Sequence, residues 1–335
     1  MRNFVGIAAL AAACLATGGG LSAQQQAERA SGTGGAFVPP IWAYPVVPPG
    51  TPPAPPAPPD DGSPKRLPGT SVTLTLKQTR DFGNVPDWHP DDHPAMPDIV
   101  AHGRPPEVRF GCGYCHYPNG RGRPENASVA GLSAAYIIQQ MADFKNGVRK
   151  SSQPKMGPPA LMATLSKSVS DADVKAAAEY FASLKWTQWI KVTEASTVPK
   201  SRIAGGMFVP VEGTEPLGNR ILEMPQDLER TELRDSQSPF VAYVPVGSIK
   251  KGETLAKTGG GRTVQCSICH GADLKGLGPV PGIAGRSPSY TARQLYDMQH
   301  GARNGVWTDL MKPVVARLTD DDVIALAAYT ASLVP

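Results

Sequence analysis

Cysteine is scarce, five in 335 residues, which excludes a scaffold built on disulfides. Charge is also low, at 19% of residues, with a net of only +4. There is no basic run and no basic stripe, so nucleic-acid binding is excluded as a primary role. Long apolar runs are missing. The longest, Phe4 to Ala16, falls short of the ~20 residues a membrane-spanning helix needs. Glycine and proline, by contrast, are plentiful at 35 each, so turns and loops are expected to be frequent. A hydrophobic fraction of 41% still supports real cores.

The N-terminal stretch has the pattern of an export signal. Arg2 gives the positive start, Phe4 to Ala16 the apolar centre, and Leu21-Ser22-Ala23 a small-residue cleavage site. Residues 1–23 are therefore read as a signal peptide, and the expected compartment is the periplasm. Ala11-Ala12-Ala13-Cys14 is a degenerate lipoprotein signal, so a lipid anchor on Cys14, with membrane association, is the competing processing route. Residues 24–68 follow as a flexible segment. Thirteen prolines in 39–68 point to an extended spacer without a core.

The remainder contains a repeat. The stretch from Gly131 to Arg149 matches that from Gly285 to Arg303 without a gap, at an offset of 154 residues. The same offset carries Cys112, Cys115 and His116 onto Cys266, Cys269 and His270. Further along the offset becomes 149, and Met162 meets Met311. One duplication of this size means two domains, read here as 69–185 and 247–335, joined by a connector over 186–246. Each copy reads as mostly helical. Tyr136 to Lys145 predicts a helix closed by Gly147, with its counterpart closed by Gly301. Ser170 and Thr319, each followed by acids, mark the start of the last helix in each copy. Shorter helices are expected near 97–103 and 248–256. The connector, broken by Pro199, Gly213, Pro216, Gly218, Pro225, Pro239 and Pro245, is expected to be irregular.

Four of the five cysteines fall in two Cys-x-x-Cys-His motifs. Two thiols at this spacing suit the two vinyl groups of one haem, and the adjacent His reaches the iron. Composition predicts roughly 0.001 chance matches to the pattern. The rivals are weaker. A structural zinc site wants four ligands and each motif offers three. A redox dithiol needs no following His and belongs in a βαβ pattern, which is absent. Two covalently bound haem c groups are thus expected, with His116 and His270 as axial ligands. Met162 and Met311, equivalent in the repeat, are the expected opposite ligands, a pairing that raises the reduction potential. Met156 lies in the same enlarged loop as Met162 and competes with it; His300 is a rival to Met311.

The motifs, the Gly-x-x-x-x-Tyr helix entry, the Gly-x-Arg after that helix, the Met and the Leu-Thr-Asp-Asp-Asp cap together resemble a dihaem class I cytochrome c of the cytochrome c4 type. The resemblance covers roughly 97–185 and 247–334. It implies a mostly α fold of two tandem class I cytochrome c domains, here with a Pro-rich leader and a long irregular connector. It also implies periplasmic transfer of single electrons. In this family a Pro carbonyl holds the proximal His, a role that falls to Pro281 in the second copy; the first copy has Ala127 there. The expected partners are redox proteins: a terminal oxidase, a quinol-oxidising complex or a periplasmic dehydrogenase. An electron carrier is the first reading, a dehydrogenase subunit the second, and a dihaem peroxidase or thiosulfate-oxidising enzyme the third.

Other residues carry two readings each. Arg149 and Arg303 suit bidentate contacts to haem propionates, or they are solvated helix ends. Tyr136 and Tyr290 are expected to anchor their helices in the core. Trp88, His89, His93 and His102 read as loop residues, and the histidines matter only if the first haem is bis-His ligated.

Overall fold

The computed structural model describes residues 37–51 and 59–335. The expected signal peptide, Cys14 and residues 24–36 lie outside the described residues. Among the described residues no helix is long and apolar enough to cross a membrane.

Five helices build the first copy: α1 (Asp98–Ala101), α2 (Cys112–His116), α3 (Ala134–Lys145), α4 (Gly157–Leu165) and α5 (Asp171–Ser183). Their starts are dictated locally. The Ser133 hydroxyl accepts from Tyr136 N at the head of α3, and Ser170 accepts from Asp173 N at the head of α5. Gly147 follows α3 at φ 69°, a left-handed turn that favours glycine. Pro158 lies in the first turn of α4, where its missing N–H costs nothing. The core of this copy is Ile99, Val100, Val108, Ala130, Val169, Ala177, Tyr180, Phe181 and Leu184.

The connector comes next in the chain. It holds β1 (Ile190–Glu194), β2 (Thr197–Ala204), β3 (Met207–Pro216), β4 (Leu222–Pro225), helix α6 (Leu228–Glu232) and β5 (Phe240–Val244). Strand β5 is central in a three-stranded sheet, parallel to β1 and antiparallel to β4. Strands β2 and β3 form a separate hairpin that turns at Gly205–Gly206. The connector is thus more ordered than its proline and glycine spacing suggests. The physical reason is where those residues fall: Pro199 sits at a register shift of the hairpin, and Pro216 and Pro225 end their strands. Between the breaks, Phe240 to Val244 is a β-branched and aromatic run whose strand is almost wholly buried.

The second copy repeats the first with α7 (Ser248–Thr258), α8 (Ser267–His270), α9 (Pro288–Gln299), α10 (Thr308–Val315) and α11 (Asp320–Ser332). Ser287 caps α9 through Tyr290 N, and Thr319 forms a capping box with Asp322 at α11. Helix α7 crosses α11 at close range. An ideal Cβ on Gly252 would lie 1.9 Å from Ala325 O, so only glycine fits the crossing. Leu255, Ala256, Ile324, Leu326, Ala327 and Ala328 are buried there.

The described residues from 39 onward belong to one compact unit. Part of the segment expected to be flexible belongs to it. Ala43 and Tyr44 are 0% and 1% exposed. Tyr44 Oη donates to Asp297 Oδ1 at 2.8 Å, and Arg293 Nη1 donates to Ala43 O at 2.8 Å. Trp42 meets Tyr296 edge-on at 6.2 Å. The aromatic pair Trp42 and Tyr44, set between prolines, gives this stretch apolar surface that a plain spacer lacks.

Candidate functional site

Each Cys-x-x-Cys-His motif opens onto an apolar cavity. The first is lined by Cys112, Cys115, His116, Met162, Phe144, Leu165 and Phe181, among others. The second is lined by Cys266, Cys269, His270, Met311, Leu295 and Leu326, among others. The structure therefore brings together every residue expected to hold a haem. Met156 is buried, at 2% exposure, and lies outside the first lining. His300 follows α9 and lies outside the second. His89 pairs with Asp235 at 2.9 Å, His93 with Asp87 at 3.2 Å, and His102 is exposed; none of them lines the first cavity.

The ring of each motif histidine is fixed by a backbone carbonyl. His116 Nδ1 lies 2.8 Å from Ala127 O, and His270 Nδ1 lies 2.7 Å from Pro281 O. A carbonyl can only accept, so Nδ1 carries the proton and Nε2 keeps its lone pair for a metal. Burial pushes both rings below the usual imidazole range, against the raising effect of that carbonyl, which again favours the neutral, ligating form.

The thiols are free, not bridged. Burial pushes Cys112 up to about 12 and Cys266 up to about 11, and raises Cys115 as well. A redox dithiol needs the opposite, a lowered thiol. Among the described residues no three His, Cys, Asp or Glu side chains are grouped to hold a metal ion. The cavities fit haem in a further respect: Arg303 Nε is buried without a partner, a donor left for an anion.

The two cavities share a wall. Leu132, Tyr136, Gln140, Tyr290 and Gln294 line both. Arg149 donates to Gln140 Oε1 at 2.8 Å, Tyr290 Oη at 2.9 Å and Gln294 Oε1 at 3.2 Å. Arg303 mirrors it, donating to Gln294 Oε1 and Tyr136 Oη at 2.9 Å each and to Gln140 Oε1 at 2.8 Å. Both arginines are only 8% exposed, which overturns the solvated-helix-end reading. Tyr136 and Tyr290 join the two copies instead of anchoring their own helices in a core, because each hydroxyl meets an arginine from the opposite copy. Burial pushes the Tyr136 phenol up, and Arg303 and Arg149 beside it more than reverse that. Gln140 and Gln294 carry no motif; their only signal in the sequence is that the repeat keeps them. Arg286, which reaches Ser128 O at 2.8 Å and Ala130 O at 3.1 Å across the copies, has no counterpart in the repeat to flag it.

No family model matches the chain. Among curated proteins, cytochrome c4 of Azotobacter vinelandii is 24% identical over 231 residues, 66% of this chain and 84% of that protein. The thiosulfate dehydrogenase electron acceptor of Thiomonas intermedia is 27% identical over 231 residues, 68% of this chain and 80% of that protein. Cytochrome c-554(548) of Halomonas halodenitrificans is 37% identical over 68 residues, 20% of this chain and 82% of that protein. With its duplicated motif, paired cavities and these relatives, the chain belongs to the class I c-type cytochromes and is a dihaem electron-transfer protein of the cytochrome c4 type, with two covalently bound haem c groups.

Proposed function

We propose that the chain is an exported, periplasmic carrier that moves single electrons between redox proteins. Cys112 and Cys115 would tether one haem and Cys266 and Cys269 the other, and His116 with Met162, and His270 with Met311, would ligate the irons. When bound, haem supplies one-electron ferric/ferrous chemistry. The protein's part is to hold each imidazole by its Nδ1–H, to offer a methionine thioether in the same cavity and to keep water out with apolar side chains. A methionine in that position leaves no open site for a substrate, which supports a carrier over a peroxidase.

The observation that carries the reading is the shared wall. Two sites that use the same Tyr136, Gln140, Tyr290 and Gln294 adjoin each other, which supports passage of an electron within the molecule. Four buried arginines, Arg149, Arg286, Arg293 and Arg303, surround it, and among the described residues none has a carboxylate within ion-pair distance. Buried guanidiniums need anions. Haem propionates supply them, and Arg149 and Arg303 are the residues assigned to that contact.

The domain reading follows the same lines: 69–185 and 247–335 as the haem domains, and 186–246 as their connector. A second reading, a cytochrome that serves one periplasmic dehydrogenase, is favoured by the relative named as a thiosulfate dehydrogenase electron acceptor. The test is a spectroelectrochemical titration of the exported protein with Met162 and Met311 variants. Two one-electron waves, each moved by one variant only, are expected. A mass lacking two haems, or waves indifferent to both methionines, would sink the proposal.

A further inference from the structure

The repeat makes the two thioether edges directly comparable, and they differ. At an offset of 154 residues, Phe110, Tyr114 and Arg123 of the first copy correspond to Val264, Ile268 and Leu277 of the second. Val264, Ile268 and Leu277 are 40%, 62% and 61% exposed, and Cys269 is exposed beside them. In the first copy Tyr114 is 5% exposed, and the Arg123 side chain is held at 2.6 Å by the buried Glu125.

The cover on the first edge comes from segments that have no counterpart around the second. Arg234, just after α6 in the connector, stacks its guanidinium 3.5 Å from the centre of the Tyr114 ring. Its Nη1 donates to Tyr114 O at 2.8 Å. The preceding residue is anchored by Trp88, whose Nε1 donates to Leu233 O at 2.8 Å and which is itself 1% exposed. Phe82, itself 47% exposed, packs beside them, 4.7 Å from Tyr114 and 4.8 Å from Phe110. The hairpin tip adds to this: an ideal Cβ on Gly206 would lie 3.4 Å from Glu125 Cβ. Arg234 adopts φ 60°, a conformation that costs a non-glycine residue free energy, and the surrounding contacts hold it there.

We propose that Arg234, carried in by the connector, closes the thioether edge of the first haem site, so that electrons enter and leave the protein at the second. The first haem then exchanges electrons mainly through the shared wall. Electron transfer falls off steeply with separation, so Arg234 stacked on Tyr114, in the turn between Cys112 and Cys115, disfavours docking at the first edge relative to the bare second. The inference rests on the haem assignment above.

The experiment uses the reduced, diamagnetic holoprotein with an uncharged gadolinium chelate as a contact probe, and reads relaxation of the haem protons by NMR. In the wild type the second haem's thioether-edge protons are expected to relax at least fivefold more than the first's. Arg234→Gly suits the φ at that position and removes the cover without strain. It is expected to raise the first haem's relaxation at least threefold and leave the second unchanged. Electron uptake from a photogenerated neutral flavin semiquinone should rise at least twofold in the same variant. Tyr114→Ile, which installs the residue of the second copy, gives the same direction if Arg234→Gly fails to load both haems. Equal relaxation at the two edges of the wild type, or a first edge indifferent to both variants, overturns the proposal. A wild-type mass short of two haems marks failure of the haem assignment instead.

Discussion

Arg149 and Arg303 pair backbone to backbone as an isolated antiparallel bridge, although 154 residues separate them. Lys150 N donates to Ala302 O at 2.8 Å, and Asn304 N donates to Val148 O at 2.7 Å. Above this bridge the side chains cross, each guanidinium reaching the tyrosine of the other copy. The contact has the reciprocity of a twofold interface built inside one chain: residue i meets j, and the equivalent of j meets the equivalent of i. Bringing two cations together in a buried place is unfavourable on its own. Two glutamine carbonyls and two phenol oxygens share the charge among them.

That arrangement makes the two arginines energetically dependent. Arg149→Gln and Arg303→Gln should each lower stability by about 2–3 kcal/mol, the scale of losing charged hydrogen bonds inside a protein. The double variant should depart from additivity by at least about 0.5 kcal/mol, since both share Gln140 and Gln294. Denaturant titration of the four proteins measures this; strict additivity would mean that the two sides act separately.

Met162→His and Met311→His should each lower one haem potential and leave the other in place, because thioether ligation raises the potential relative to imidazole. Met156→Leu should leave both potentials unchanged and cost less than about 1.5 kcal/mol, as a volume-conserving exchange in a buried position. A potential that follows Met156 instead of Met162 would reassign the ligand.

Gly252→Ala forces a methyl against Ala325 O and should destabilise the second copy by about 1–3 kcal/mol or more. Gly157→Ala is the control. Nothing lies within 4 Å of the added carbon and the position opens α4, so it should be neutral or stabilising by up to about 1 kcal/mol. Thermal unfolding of the two variants should move in opposite directions or differ plainly in size.

Asp322 gives the second copy a pH dependence. Burial pushes its carboxyl up, but Lys251 at 3.0 Å and the Thr319 N–H at 3.1 Å outweigh that and hold it below its usual value. A depressed native pKa stabilises the fold fully above the unfolded value of about 3.9, and the benefit disappears as pH falls through the native value. Urea unfolding at pH 7 and at pH 3 should therefore show a gap. Asp322→Asn should narrow it and cost about 1–3 kcal/mol at pH 7.

The sequence by itself determined what is local or repeated. Cys112 and His116 are four residues apart, so one helical turn brings them together whatever the rest of the chain does. Ser170 and Thr319, read from the sequence as helix starts, cap their helices through contacts three residues long, and Ser133 and Ser287 do the same at α3 and α9. The offset of 154 residues carried the pattern from one copy to the other, including Ala127 and Pro281 behind the histidines.

Only the tertiary structure decided which equivalent residues stay equivalent. Arg149 reads the same as any arginine after a helix until Tyr290 comes up against it. The connector's strands hide behind prolines because Pro199 falls at a register shift that no local pattern marks. Tyr114 and Ile268 hold the same place in the repeat, yet one is covered and one is bare, since Arg234 arrives from 120 residues downstream. Local chemistry is written in spacing along the chain, whereas burial depends on what the remaining chain brings to each surface.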